Sequence, residues 1–154
     1  MKNEIDDLKL TILNLRKIIL EFPAESCLVS MGDWTPRDIL AHMIGWNRYT
    51  ITACRQIRMG DLPSKLVDTG LDYTIVDADS VKLYNSSDCE LLLDEIETSY
   101  QSLVNFLIFM NPKDWDKDFG IRTEENTITI ESVVRALLKN YEYHLNQLYA
   151  WANN

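Results

Sequence analysis

The chain has 154 residues, of which 46% are hydrophobic and 25% charged, a composition typical of one globular domain with a single core. Its 24 acidic residues outnumber the 15 basic ones and give a formal net charge of -9. Such a charge repels nucleic-acid phosphates and anionic lipid headgroups, so we expect neither as a partner. The sequence predicts one domain over residues 1–154.

Neither export nor membrane insertion is indicated. The first residues lack the apolar run of a secretory signal, and no window approaches the roughly 18 uninterrupted apolar residues of a membrane helix. The three cysteines, Cys27, Cys54 and Cys89, are odd in number and form no CxxC pair. We therefore expect a cytoplasmic protein without a disulfide framework, whose thiols are free.

Two helices are predicted in the first half of the chain. The first ends before Pro23 and has apolar residues at alternating spacings of three and four, namely Ile5, Leu8, Ile12, Leu15, Ile19 and Phe22. The second starts at Thr35-Pro36, with Thr as N-cap and Pro at the first helical position, and stops at Gly60. Its apolar stripe is Ile39, Met43, Trp46, Thr50, Ala53 and Ile57.

Two more helices are predicted in the second half. A capping box at Ser87 and Glu90 opens the third, which Pro112 closes. Its stripe is Leu92, Ile96, Ser99, Leu103, Phe106 and Met110. The fourth begins near Thr129 and carries on one face Val133, Leu137, Asn140, His144, Gln147 and Trp151. Four amphipathic helices in this length predict an all-α four-helix bundle.

The connections between the helices differ in length. Residues 59–86 are long for a bundle, where helix connections usually span about 2–8 residues, so this segment is a crossover, a functional lid, or both. Residues 112–128 alternate Ile and Thr around Glu124-Glu125-Asn126, which predicts a short hairpin.

Both histidines of the chain lie among apolar residues on predicted helix faces. His42 is on the second helix, where Trp46 follows it by one turn and Tyr49 shares its strip. Asn140 and His144, at i and i+4, project to the same side of the fourth helix. If these faces meet, they form a pocket with imidazole, carboxamide, phenol and indole groups, the outline of a small-molecule site.

Structural roles are the alternative for these residues. A histidine on an apolar face is often a hydrogen-bonded core residue, and Trp46 and Trp151 can simply fill the core. A buried polar group left unsatisfied costs about 1–3 kcal/mol, however, so three of them indicate either mutual hydrogen bonds or a functional role.

A metal site is the second alternative, because an i, i+4 pair on a helix is a known zinc-ligand spacing. Here the pair is Asn140 and His144, and a carboxamide is a poor zinc ligand. Asp38, at the third helical position, has a better partner in the backbone N–H groups of its own helix start. We therefore expect no metal and no cofactor. Nothing in the sequence around Cys54 indicates an activated nucleophile.

One segment resembles a known family signature: Asp33-Trp34-Thr35-Pro36-Arg37-Asp38-Ile39-Leu40-Ala41-His42-Met43-Ile44-Gly45-Trp46. It is similar to the signature of the DinB-like superfamily and, within it, of the ClbS/DfsB family. Gly60-Asp61-Leu62-Pro63 after the second helix, and Asn140 with His144 in the last, extend the resemblance over nearly the whole chain.

The resemblance implies an up-down-down-up bundle, with a long crossover between the parallel second and third helices. Metal-binding DinB-like proteins have one His on the second helix and an HxxxH pair on the last. His42 and His144 match two of these positions, and Asn140 departs from the third. The ClbS/DfsB family looks metal-free and includes members that hydrolyse an electrophilic cyclopropane in a genotoxic natural product.

Three functional hypotheses follow. The first is a metal-independent hydrolase, or a detoxifying self-resistance protein, for a small electrophile. In it His42 acts as general base or acid, Asn140 and His144 orient water and substrate, and Trp46, Tyr49 and Trp151 shape the pocket. The second is a non-catalytic bundle that binds a small molecule, and the third is a metal-dependent transferase. The narrow apolar seams would also allow a homodimer.

Overall fold

The computed structural model of the chain describes residues 1–64, 81–84, 88–123 and 126–153. Its four long α-helices are α1 (Lys2–Leu20), α2 (Pro36–Met59), α3 (Cys89–Phe109) and α4 (Ile130–Ala152). Two short 3-10 helices, Ala24–Leu28 and Pro112–Asp114, follow α1 and α3. The predicted all-α fold is confirmed. The predicted lid or crossover falls largely on residues 65–80 and 85–87, which lie outside the described ranges.

The helix ends follow the local signals in the sequence. Thr35 caps α2, because its hydroxyl accepts from the Asp38 amide while the Asp38 carboxylate accepts from the Thr35 amide at 2.8 Å. Thr129 and Ser132 form the same reciprocal box at the start of α4. Gly60 ends α2 with a φ of 82°, a left-handed conformation that favours glycine.

The predicted start of the third helix was wrong by one residue. Asp88, and not Ser87, is the N-cap of α3, and its carboxylate accepts from the Leu91 amide at 2.8 Å. A carboxylate next to a helix N-terminus adds a favourable interaction with the helix dipole that a serine hydroxyl lacks, which explains why the aspartate takes the position.

Helices α1 and α4 run parallel. Near their starts, Glu4 and Arg135 form a salt bridge of 3.0 Å, and near their ends the rings of Phe22 and Trp151 pack with centroids 4.7 Å apart. The start of α1 therefore contacts the start of α4, and the end of α1 contacts the end of α4, so the two helices point in the same direction.

Helices α2 and α3 also run parallel. Arg48, near the middle of α2, pairs with Glu95 in the first half of α3. Arg55, further along α2, lies over the ring of Phe106 in the second half of α3, 5.6 Å from its centroid. Helix α2 runs antiparallel to α4, because His42 contacts His144 whereas Asn47, later in α2, contacts Tyr141, earlier in α4. Since α1 is parallel to α4, the order is up-down-down-up. The topology implied by the resemblance is thus confirmed, and two parallel neighbours in sequence need a long connection between them.

The core lies between the four helices and is built mainly from the predicted apolar stripes. The largest completely buried side chains are Leu8, Ile12, Leu15, Ile39, Leu40, Met43, Ile44, Ile57, Leu92, Ile96, Leu103 and Tyr141. Trp46 is half-buried, unlike the other members of the α2 stripe. None of the helices in the described part of the chain is both long and apolar enough to cross a bilayer.

The expectation of three free thiols was wrong. Cys27 and Cys89 form a disulfide whose Cα atoms are 6.4 Å apart, although 62 residues separate them in sequence. Local spacing could not indicate this pair, because it depends on the segment after α1 folding against the start of α3. Cys54 is the free cysteine among the described residues, and it is buried.

The predicted hairpin at residues 112–128 is reduced to one bridge in the described residues. Arg122 and Thr127 form that antiparallel bridge, and residues 124–125 between them lie outside the described ranges. Trp115 in the same connection is buried, and its carbonyl accepts from the Glu131 amide at 2.8 Å, which ties this connection to the start of α4.

Candidate functional site

Helices α2 and α4 bring His42 and Asn140 into direct contact. The Asn140 Nδ2 atom lies 3.1 Å from His42 Nε2. An amide NH₂ can only donate, so Nε2 accepts and the proton of a neutral His42 is on Nδ1. The His42 side chain is almost fully enclosed, with 2% of its surface exposed.

His144 completes the cluster one turn after Asn140. Its ring centroid is 4.8 Å from that of His42, and the two rings meet at 72°, edge to face. His144 Nδ1 lies 2.7 Å from Gln147 Oε1, an atom that can only accept, so Nδ1 donates. The basic lone pair of a neutral His144 is therefore on Nε2.

Trp34 packs against both histidines from the segment before α2. Its ring lies 4.9 Å from the His42 ring, and it stacks on His144 at 5.5 Å with only 8° between the planes. An indole face attracts a cation through its quadrupole, so this stacking stabilises His144 when the imidazole is protonated. It also fixes the orientation of the ring.

A cavity of about 460 Å³ opens over this cluster, within the size range of small-molecule sites. It is lined by Met31, Gly32, Asp33, Trp34, Ile39, Asn140, Tyr143, His144 and Gln147. One wall is therefore the segment that precedes α2, and the other is one face of α4. His42 does not line this cavity and lies behind Asn140 and His144.

The three aromatic residues proposed as pocket walls occupy different places. Trp46 meets the edge of the His42 ring at 6.1 Å, and Tyr49 packs on Trp46 at 5.5 Å, but neither lines the cavity over His144. Trp151 lines an adjoining cavity of about 400 Å³ further along α4. The structure thus brings His42, Asn140 and His144 together and distributes the aromatic residues around them.

Sequence reasoning gave a site role to only two of the residues that line this cavity, Asn140 and His144. Trp34 and Met31 lie in an irregular segment, where no periodicity shows which side chains turn inward. Gln147 was on the predicted polar face of α4 but received no role, although its position three residues after His144 is a spacing at which helical side chains meet. Tyr143 is not part of the apolar pattern of α4, yet its hydroxyl accepts a hydrogen bond from Gln147 Nε2 at 3.1 Å.

The donor set does not fit the metal site of the metal-binding DinB-like proteins. The lone pair of His42 Nε2 faces an amide NH₂ group, which has no lone pair to offer a metal ion. Asp38 is held in the capping box with Thr35. Among the residues that the structure describes, no group of three His, Cys, Asp or Glu side chains could hold a metal ion.

Cys54 is a poor nucleophile. It is completely buried in the core, and burial raises the pKa of its thiol to about 12, so the reactive thiolate is scarce at neutral pH.

The solved structures that are similar to this chain include two that match it over almost its whole length. One is the crystal structure of the colibactin self-resistance protein ClbS in complex with a dsDNA, with a TM-score of 0.78, 13% identity, and coverage of 99% of this chain and 95% of that one. The chain has a ClbS-like helical fold. The predicted resemblance is confirmed at the level of the fold.

The other is an uncharacterised protein from Escherichia coli UTI89, with a TM-score of 0.76, 18% identity, and coverage of 98% of this chain and 91% of that one. No protein-family model and no curated protein matches the sequence. At these identities the similarity describes the fold alone, and the function has to be inferred from the site.

Proposed function

We propose that the chain is a metal-independent hydrolase that protects against a small electrophilic molecule. The observation that carries this proposal is the position of His144, which lines a cavity of about 460 Å³ although only 5% of its surface is exposed. An enclosed imidazole at the wall of a cavity is well placed for proton transfer to a bound molecule. The similarity of the fold to that of a self-resistance protein supports the protective part of the proposal.

In this reaction water opens the bond between an electrophilic carbon and its leaving atom. His144 Nε2 takes a proton from water, the water oxygen forms a bond to the carbon, and the electron pair of the broken bond goes to the leaving atom. The imidazolium then returns the proton to that atom, so the net reaction is addition of one water. Gln147 accepts from Nδ1 throughout and thereby stabilises the charged ring.

His42 acts as a positioning residue in this scheme. The sequence-based hypothesis gave it the role of general base or acid, but its Nε2 already accepts from Asn140, and its side chain lies behind the cavity wall. It holds the Asn140 carboxamide, which lines the cavity, in one orientation. Asn140 in turn orients the water and the substrate.

Product analysis in ¹⁸O-labelled water tests the proposal. The purified chain is incubated with styrene oxide and, separately, with an acyl-activated cyclopropane, and the products are analysed by mass spectrometry. We expect faster formation of the ring-opened alcohol than in buffer alone, with one ¹⁸O atom incorporated per molecule. Loss of the electrophile without labelled alcohol would contradict hydrolysis.

The same experiment separates the second hypothesis, a bundle that only binds its ligand. A protein that only binds the electrophile removes at most one molecule of it per chain from solution. The loss of free electrophile would then stop at one equivalent. Turnover beyond one equivalent favours the hydrolase.

Double-stranded DNA is the partner of ClbS in its crystal structure. For this chain we infer no such partner, because a net charge of -9 opposes binding to phosphates. Fluorescence anisotropy with a labelled duplex at low salt tests this inference, and saturable binding that weakens with added salt would contradict it.

A further inference from the structure

A second cavity adjoins the one over His144. It measures about 400 Å³ and is lined by Ser30, Met31, Gln147, Ala150 and Trp151. Met31 and Gln147 line both cavities, so the two spaces share part of their walls. The segment before α2 and the side of α4 that carries His144 therefore line two adjoining chambers, which we refer to together as the groove.

One stripe of α4 forms the long wall of this groove. Asn140, His144, Gln147 and Trp151 follow one another at steps of four, three and four residues, which places them on the same side of a helix. Eleven residues of helix, at a rise of about 1.5 Å each, make the wall roughly 16 Å long. A molecule that fills both chambers is consequently elongated.

The two chambers differ in polarity. The first contains the imidazole of His144, the carboxylate of Asp33 and the carboxamides of Asn140 and Gln147. The second shares Met31 and Gln147 with the first and adds Ser30, Ala150 and the indole of Trp151, so its lining carries no charged side chain. The lining of both chambers, as far as the chain is described, includes no lysine or arginine. A phosphate or carboxylate group would thus meet the Asp33 carboxylate without a lysine or arginine to pair with it.

We propose that this groove binds an elongated molecule, with an uncharged or cationic hydrogen-bonding head over His144 and a flat apolar end against Trp151. The proposal rests on the proposed function in that it names the class of molecule the same site accepts. Trp151 is the specificity-determining residue for the apolar end. Its indole packs against Phe22, just after the end of α1, at 4.7 Å, which holds the ring in place before a ligand arrives.

Binding of four matched probes tests the groove by titration calorimetry. Hexanamide has the head alone, and naphthylhexanamide adds a flat group at the far end of the chain. Naphthylhexylamine and naphthylhexanoate replace the amide head by a cation and an anion. We expect naphthylhexanamide to bind about tenfold more tightly than hexanamide, because the naphthyl group buries apolar surface in the second chamber. The amine should bind at least as well as the amide, and the hexanoate more weakly.

Two substitutions on α4 assign the effect to the second chamber. Trp151→Leu keeps an apolar partner for Phe22 but removes the flat indole, and it should weaken naphthylhexanamide about tenfold while leaving hexanamide unchanged. Tyr149→Leu is the matched control, because Tyr149 lies near the same helix end and lines neither chamber. It should change neither affinity. Melting temperatures of both variants verify that the bundle is intact.

The groove is overturned if naphthylhexanamide binds no more tightly than hexanamide, if Trp151→Leu weakens both amides equally, or if none of the probes binds. It is also overturned if the hexanoate binds best. These results are independent of hydrolysis. Probe preferences as expected with no turnover of an electrophile would refute the hydrolase and keep the groove, whereas turnover without these preferences would do the reverse.

Discussion

Two neighbouring polar clusters each join α2 to α4, and they differ in what they face. The closed network is Tyr141, Asn47 and Ser99: the Tyr141 hydroxyl donates to Asn47 Oδ1 at 2.9 Å, and Asn47 Nδ2 donates to Ser99 Oγ at 3.0 Å. Ser99 in turn donates to the Ile96 carbonyl at 3.0 Å, so the chain of donors ends on backbone. All three side chains are buried.

The open cluster is His42, Asn140 and His144, and it ends on a cavity instead of on backbone. Asn140 and Tyr141 are adjacent in sequence, but the rotation of roughly 100° per helical residue sends one to the cavity and the other to the core. Burial and hydrogen bonding are common to both clusters. Access to a cavity is what distinguishes a candidate site from a structural network.

The largest effect that we expect separates rate from stability. His144→Gln should lower the rate of electrophile hydrolysis about 100- to 10,000-fold, the usual contribution of a general base, and change the free energy of unfolding little. Asn47→Leu should do the opposite, because it leaves the buried Tyr141 hydroxyl without its acceptor at a cost of about 1–3 kcal/mol. Single-turnover kinetics and urea unfolding of both variants measure the two effects.

His42 provides an internal control for this comparison. His42→Ala should also lower activity, since Asn140 loses its acceptor, whereas His42→Gln should restore part of it by offering an amide oxygen to Asn140 Nδ2. Equal activity of the two variants would mean that His42 does not act through Asn140. Full activity of His144→Gln would contradict the assignment of the open cluster as the catalytic site.

Local signals in the sequence were sufficient for most of the fold. The cap at Thr35, the start of the last helix near Thr129 and the end of α2 at Gly60 depend on residues within one turn, and the structure has all three as predicted. The meeting of His42 with Asn140 was predictable because each lies on the inward face of its helix.

The parts that could not be predicted depend on long-range packing. Trp34 reaches both histidines from an irregular segment, and the disulfide of Cys27 joins residues 62 positions apart. Asn47 was overlooked because the α2 stripe was traced through its neighbour Trp46. It lies four residues after Met43 and seven before Cys54, both buried, so a second stripe through these positions would have found it.

The second test replaces one residue of the open cluster and measures metal binding. Asn140→His should create a third imidazole beside His42 and His144. The 3.1 Å between Asn140 Nδ2 and His42 Nε2 is close to the roughly 3.3 Å that separates two nitrogen ligands on a tetrahedral zinc ion. We expect the variant, purified without a histidine tag, to bind about one zinc per chain, and elemental analysis measures it.

The parent chain and Asn146→His serve as controls for zinc binding. Asn146 is exposed on the same helix, and a histidine there adds an imidazole outside the cluster. Both controls should remain without stoichiometric metal. One metal per chain in the parent would contradict our assessment of its donor set, and an Asn140→His variant without metal would mean that the new imidazole does not face His42.

The smallest expected effect concerns the closed network and appears only at high pH. Burial raises the pKa of Tyr141 above its ordinary value of 10.0, and burial also raises the pKa of Tyr100 to about 12. The folded state therefore keeps protons that the unfolded state releases above pH 10. Stability should be constant with respect to these groups below that pH and fall as the pH rises further, by at most about 1.4 kcal/mol per pH unit and group.

Tyr141→Phe separates the contribution of Tyr141 to the loss of stability at high pH from that of Tyr100. At pH 7 the variant should be less stable by about 1–3 kcal/mol, because Asn47 Oδ1 loses its buried donor. Between pH 10 and pH 11.5 its stability should fall less steeply than that of the parent, since one of the protons held by the folded state is gone. Tyr149→Phe, at an exposed position of the same helix, should leave both the value at pH 7 and the slope unchanged. Urea unfolding at a series of pH values gives both quantities, and parallel curves for Tyr141→Phe and the parent would mean that the Tyr141 hydroxyl is not enclosed as the closed network requires.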